Sequence, residues 1–222
     1  MPLRPVAAYR PASTTPGMCM PVTLAIIAIT CVVSFLAFNN PQLMQRLILW
    51  PPAINRGKEY WRLATCGLIH ADVPHLAFNM ITLYFFGRLI EQFFTPYVGA
   101  LGYAAFYVGG LVVSCVPSWL RHRDDSGYRS LGASGAVSAV LFAFILLQPW
   151  ALIFVFFVPV PAIIYAVLYL GYTIWADRQR RDHINHSAHL WGAVYGMLFT
   201  LAMEPRVLAV FLRQLLNPSF LS

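Results

Sequence analysis

Ser134 lies in Gly132-Ala133-Ser134-Gly135 and His189 in Ala188-His189-Leu190-Trp191-Gly192, each near the start of an apolar segment of membrane length. Polar and ionisable side chains are costly inside a bilayer, and those found there usually have a use. A serine hydroxyl is a weak nucleophile until a base takes its proton, and an imidazole that titrates near neutral pH can do so. The pair could therefore carry acyl transfer within a membrane. That chemistry also needs donors for the developing oxyanion. The first turn of the segment that Ser134 opens offers free N–H groups at the positive end of a helix dipole. His75 and Asn79, spaced i, i+4, stack on one helix face and can both point inward as further donors. The helix-start layer holds no Asp or Glu to orient the base apart from Asp72 in the preceding loop, so a Ser-His dyad is expected rather than a triad.

These groups must be positioned by membrane helices. Only 10% of the 222 residues are charged and 59% are hydrophobic, against about 25% charged in a soluble domain. The expected fold is all-α, a polytopic bundle of six transmembrane helices, since each span needs about 20 apolar residues. The spans are read as Pro21–Phe38, Pro74–Phe94, Tyr97–Val116, Leu131–Leu147, Trp150–Ala176 (interrupted by Pro159 and Pro161) and His186–Met203. The bundle occupies residues 21–203. Residues 1–20 read as a proline-rich cytoplasmic tail, and 204–222 as an amphipathic surface tail. Residues 39–73, with Pro51-Pro52, Trp61 and Arg62, are too polar to cross and too apolar to be fully solvated, which fits an interfacial loop with short helices.

Consecutive spans alternate direction, so the second, fourth and sixth all start on one membrane face. His70, His75, Asn79, Ser134 and His189 are thereby placed at similar depth. Close approach of the fourth and sixth helices needs small residues. Gly192 and Gly196 share a face with His189, and Gly132, Gly135, Ala136 and Ala139 surround Ser134.

The net charge is +7. With its basic residues in loops the chain is expected to meet lipid headgroups, and no nucleic acid is expected. The four cysteines form no Cys-x-x-Cys pair and no zinc spacing. Thr30 precedes Cys31 where a lipoprotein signal would carry a small residue, so the first apolar stretch reads as a retained helix.

The chain resembles the rhomboid family of intramembrane serine proteases. The resemblance is carried by Gly132-x-Ser134-Gly135, by Ala188-His189-x-x-Gly192-x-x-x-Gly196, by His70-x4-His75-x3-Asn79, by Trp61-Arg62 and by Gly87-x-x-x-Glu91. It implies a six-helix core with the N-terminus in the cytoplasm, Ser134 as nucleophile and His189 as general base. His75, Asn79 and the Ser134 N–H would line the oxyanion hole, and the fifth helix with the loop after it would gate entry. Substrates would be transmembrane protein segments with small residues at the cut. No cofactor or metal is implied. One departure stands out: many members carry an aromatic residue four positions after the nucleophile, stacked on the base, and here that position is Ser138.

Loop charge argues against this orientation. It leaves Arg4, Arg10, Arg88, Arg206 and Arg213 inside and every other Lys and Arg outside, contrary to the positive-inside rule. The resemblance is given precedence, and a bacterial inner membrane is expected.

Taken singly, the residues have plainer readings. Ser134 reads as a helix-packing serine, His189 as a structural hydrogen-bonder, His75 with Asn79 as an interhelical clamp, and His70 as a loop-fixing residue. Trp61, Arg62 and Glu91 would anchor the first loop, with an Arg62–Glu91 contact as one hypothesis. Their joint occurrence favours the catalytic reading. Two other functions compete with it. One is a non-catalytic relative that binds and escorts membrane helices. The other is a metal-binding or transport protein using His183, His186 and His189, whose i, i+3, i+6 positions drift around a helix without a carboxylate or thiolate to complete a site.

Overall fold

The computed structural model describes residues 21–155, 157–179 and 184–218. The expected tail at 1–20, Arg180, Arg181 and His183 lie outside the described residues.

Helix α1 (Val22–Phe38) is apolar along its length, yet the residues it buries are Thr23, Thr30, Ser34 and Ala37. Its large side chains, Val32 and Leu36 among them at 59% exposure each, point outward. Small and polar inside with bulky apolar outside is the pattern of a helix solvated by lipid. Pro21 supplies no side-chain cap for α1. The Glu91 carboxylate does so from across the bundle, accepting Val22 N–H at 2.6 Å and Thr23 N–H at 2.9 Å. The hypothesised Arg62–Glu91 contact is therefore not the one formed.

Arg62 instead organises the first loop. That loop is built from α2 (Pro41–Leu47), α3 (Pro51–Gly57), α4 (Arg62–Thr65) and a tight turn at Cys66–Leu68, in keeping with the short helices expected there. Arg62 is buried. Its guanidinium donates to Glu59 Oε2 at 2.6 Å and to the carbonyls of Gln45 and Ile48 at 2.7 and 2.8 Å. Burying an arginine is tolerable only when its donors are met this way. Beneath the loop, Leu49, Ile54, Leu63 and Cys66 close a small apolar core with Cys115.

Helix α5 (Val73–Thr82) passes through a wide π turn at Leu83–Gly87 into α6 (Arg88–Arg121). Gly99 interrupts α6 with φ 69°. Across that break the chain folds back: the Tyr103 hydroxyl donates to the Gly87 carbonyl at 3.1 Å, although the two residues are 16 apart. In a straight helix they would lie about 24 Å apart. The turn falls just inside the expected Tyr97–Val116 span, close to its boundary with Pro74–Phe94.

Helix α7 (Ser134–Leu147) is buried at every position from Gly135 to Leu147. An all-round apolar helix belongs in the centre of a bundle, and α5, α6 and α9 (His186–Met203) surround it. Its 14 residues span only about 21 Å. By length and apolarity alone, among the described residues one stretch, Val73–Arg121, is long enough to cross a membrane. The α9 helix and α10 (Arg206–Leu216), bent by 113°, make a second if taken as one. Helix length thus does not by itself establish six spans.

The expected fifth span is corrected. Two short strands, β1 (Leu152–Val155) and β2 (Val158–Pro161), pair antiparallel as a hairpin, Leu152 with Pro161 and Val155 with Val158. Pro159 and Pro161 lack the N–H a helix interior needs, but are admissible in an edge strand. Helix α8 (Ala162–Gln179) starts only after them. Among the described residues the fold is mostly helical, with one hairpin. The described part of the C-terminal tail is docked: α10 buries Val207, and Trp150 Nε1 donates to the Gln214 carbonyl at 2.8 Å.

Candidate active site

Ser134 is the first residue of α7, and the turn into it is made by Gly132 at φ 114°. A β-carbon at Gly132 would lie 2.8 Å from the His75 ring. Left-handed backbone and a ring packed against it both require glycine there. The loop before Ser134 is pinned from below. Gly132 N–H donates to the Cys66 carbonyl at 2.9 Å, and Ala133 N–H to His70 Nε2 at 3.3 Å. His70 Nδ1 lies 3.0 Å from Ser34 Oγ on α1, which itself donates to the Leu68 carbonyl. An imidazole that accepts at Nε2 carries its proton on Nδ1, so neutral His70 bridges α1, the first loop and the approach to Ser134. Burial, then repulsion from His75, pushes its pKa down to about 3, with Asp72 opposing. Asp72 caps α5 through His75 N–H at 2.7 Å, a structural task on another helix.

His189 lies in the first turn and a half of α9, whose cap is Asn185. The Asn185 Oδ1 accepts Ala188 N–H at 3.0 Å and the Ser118 hydroxyl at 2.8 Å, while its Nδ2 donates to Ser130 Oγ at 3.1 Å. One asparagine thus fixes the start of α9 to the end of α6 and to the loop leading into α7. An Asn directly before the apolar run His186–Met203 is the capping signal that the sequence carries.

Helices α7 and α9 then meet with almost no side chain between them. A β-carbon at Gly192 would lie 2.1 Å from the Gly135 carbonyl oxygen, and one at Gly196 2.0 Å from that of Ala139. Gly135 in turn faces the Ser114 hydroxyl of α6. All four expected packing glycines, Gly132, Gly135, Gly192 and Gly196, sit at close approaches. The contact brings His189 Nε2 to 2.8 Å from Ser134 Oγ, both residues half-buried. A hydroxyl held on an imidazole nitrogen at that distance can pass its proton to it.

His75 and Asn79 reach the site from α5. His75 packs against Gly132 and His70, with ring centroids 4.9 Å apart for the histidine pair. Asn79 is buried and its Nδ2 donates to the His75 carbonyl at 3.0 Å. Of the proposed metal-binding histidines, the His186 and His189 rings meet edge to face with centroids 6.0 Å apart. Among the described residues no group of three or more His, Cys, Asp or Glu side chains could hold a metal ion.

Two residues at the site were not anticipated as partners. Tyr169 of α8 lies parallel to the His189 ring, and its hydroxyl is 2.7 Å from Ser138 Oγ. Nothing local in the sequence links residues 138, 169 and 189.

The Rhomboid domain family model matches residues 57–206. The chain belongs to the rhomboid family. This rhomboid is 34% identical over 168 residues to "RHOMBOID-like protein 12, mitochondrial" of Arabidopsis thaliana, an alignment covering 70% of the chain and 50% of that protein. It is 29% identical over 123 residues to "Putative rhomboid protease YdcA" of Bacillus subtilis (53% and 57% covered). It is 28% identical over 160 residues to "Rhomboid protease GluP" of the same organism (72% and 29% covered). The chain spans about half the length of the first of these relatives. Rhomboids are integral membrane proteins, in agreement with the lipid-facing surface of α1. With a plant mitochondrial protein among the relatives, the expectation of a bacterial inner membrane gains no support.

Proposed function

We propose that this rhomboid is an intramembrane serine endopeptidase that cleaves transmembrane segments of other proteins with a Ser134–His189 dyad. The observation that carries the reading is the 2.8 Å contact between Ser134 Oγ and His189 Nε2, set at a helix start whose first-turn N–H groups have no intrahelical acceptor. Ser134 Oγ attacks the scissile carbonyl carbon as its proton moves to His189 Nε2. The carbonyl oxygen becomes an oxyanion facing the Ser134 N–H, with His75 and Asn79 as further donors. On collapse, His189 returns the proton to the leaving amine and an acyl-enzyme remains on Ser134. Water then attacks the ester, its proton passing to His189 and on to Ser134 Oγ, which restores the dyad.

The reading places the N-terminus in the cytoplasm, counts six spans and takes the substrate laterally from the surrounding lipid. No cofactor enters any step. The test incubates detergent-solubilised parent and Ser134→Ala with a transmembrane substrate bearing small residues near the helix-start face, with products read by mass spectrometry. A serine-directed fluorophosphonate probe is run in parallel. Cleavage and labelling by the parent alone are expected. Equal cleavage by both proteins rules out Ser134 as nucleophile, and a parent that binds the substrate but neither cleaves nor takes the label is an escort rather than a protease.

A further inference from the structure

A general base must be held as well as present, and an imidazole on a helix surface has two free torsions. In this rhomboid the position one turn after Ser134 on the same face of α7 is Ser138, a small residue that cannot reach His189 with a ring. The space is filled from another helix. Tyr169 of α8 lies with its ring 17° from parallel to that of His189, centroids 6.0 Å apart, an offset-stacked arrangement. The Tyr169 hydroxyl is 2.7 Å from Ser138 Oγ, and Ser138 is buried, so the pair forms its hydrogen bond away from competing groups. Phe142, one turn further along α7, and Tyr165, one turn earlier on α8, flank the ring at 5.7 and 5.4 Å between centroids. The ring is thus fixed on two sides and at its hydroxyl, and it presents its face to the imidazole.

We propose that Tyr169 positions the His189 imidazole against Ser134, and that Ser138 is serine because it anchors Tyr169. An aromatic side chain at 138 would contest the slot that Tyr169 occupies. The departure at 138 and the tyrosine on α8 are then two halves of one arrangement, in which the ring that orients the base is delivered from a neighbouring helix. Tyr169 is a positioning residue: it acts on the reaction only through His189. The proposal rests on the dyad reading for its kinetic consequences but not for its structural content.

The test compares the parent with Tyr169→Phe, which keeps the ring, and Tyr169→Leu, which keeps apolar volume and removes it. Ser138→Ala removes the anchor alone. Nitrogen-15 spectra of the His189 imidazole report its environment without any substrate. In Tyr169→Leu these resonances are expected to shift and broaden, with kcat and the rate of fluorophosphonate labelling falling on the order of 10-fold, the combined scale of a lost aromatic pair and a lost hydrogen bond. KM is expected to hold, because Tyr169 acts on the reaction through His189. Tyr169→Phe and Ser138→Ala should fall only a few fold, the scale of one hydrogen bond. A parent-like imidazole spectrum in Tyr169→Leu overturns the proposal, as does equal loss in Tyr169→Phe and Tyr169→Leu. If the parent neither cleaves nor labels, the protease reading fails, and the imidazole spectra still decide whether Tyr169 holds His189.

Discussion

Gly192→Ala offers the sharpest test of how this site is assembled. Its β-carbon would stand 2.1 Å from the Gly135 carbonyl oxygen and 2.8 Å from the carbonyl carbon, where ordinary contact begins near 3.4 Å. The obstacle is backbone, which cannot rotate away as a side chain would. Helices α7 and α9 must therefore separate by about 1 Å at this level. His189 sits one turn from Gly192, so the separation falls on the 2.8 Å Ser134–His189 contact and carries it beyond hydrogen-bond range, roughly 3.2 Å. A misplacement of about 1 Å in a catalytic pair can cost 10²-fold in rate, and overpacking of this kind costs about 1–3 kcal/mol of stability. The gain in helix propensity from Gly to Ala, about 1 kcal/mol, does not offset it. The control is Gly171→Ala on α8, where a β-carbon meets nothing within 4 Å and the propensity gain stands alone. The assay measures cleavage of a transmembrane substrate, fluorophosphonate labelling of Ser134 and thermal unfolding in detergent. The expected result is labelling and cleavage reduced on the order of 100-fold in Gly192→Ala, with a lower melting temperature, beside a Gly171→Ala protein at least as stable and as active as the parent. Parent-like labelling and melting in Gly192→Ala would refute the claim that bare backbone contact sets the distance between the two side chains.

Two further outcomes follow from polar groups away from the dyad. Glu91→Ala leaves two first-turn N–H groups of α1 without their acceptor; a loss of about 1–3 kcal/mol is expected, with hydrogen exchange accelerated at the start of α1 and the α7–α9 contact unchanged, and protection identical to the parent would refute the capping role. His70, buried and held down to about 3, stays neutral in the folded state while its unfolded counterpart takes a proton near pH 6.5. The unfolded chain then binds more protons below that pH, so stability is full above about pH 6.5 and falls as pH drops toward 3. Melting between pH 6.5 and 5, above the range where carboxylates dominate, should show this slope in the parent and a flatter one in His70→Gln; equal slopes would refute it.

What could be read from the sequence depended on how local each signal was. Ser134, His189 and the glycines around them were legible because polar and small residues inside apolar segments stand out against their own neighbours. Helix parity brought them to one layer without any knowledge of packing. Glu91 illustrates the opposite case. Its carboxylate binds the start of α1, 68 and 69 residues away in the chain, and the sequence pattern offered Arg62 as a partner only because opposite charges are the cheapest guess. Arg62 was already occupied by carbonyls of its own loop, and a backbone acceptor leaves no trace in residue type. The pairing of β1 with β2 was hidden for a related reason. Apolar strand and apolar helix look alike over a short run, and Pro159 and Pro161 were read as interruptions of a span when they mark where the helix cannot yet begin. Tyr169 is the most instructive omission. Position 138 looked like a loss when α7 was read alone, since the serine there does nothing for the base directly. Once α8 is packed beside α7, the serine hydroxyl becomes the partner of a tyrosine whose ring covers the imidazole. A departure from a family pattern is therefore weak evidence of lost function when the missing group is one that a neighbouring helix can supply. In this chain the ring beside the His189 imidazole comes from α8 rather than from α7.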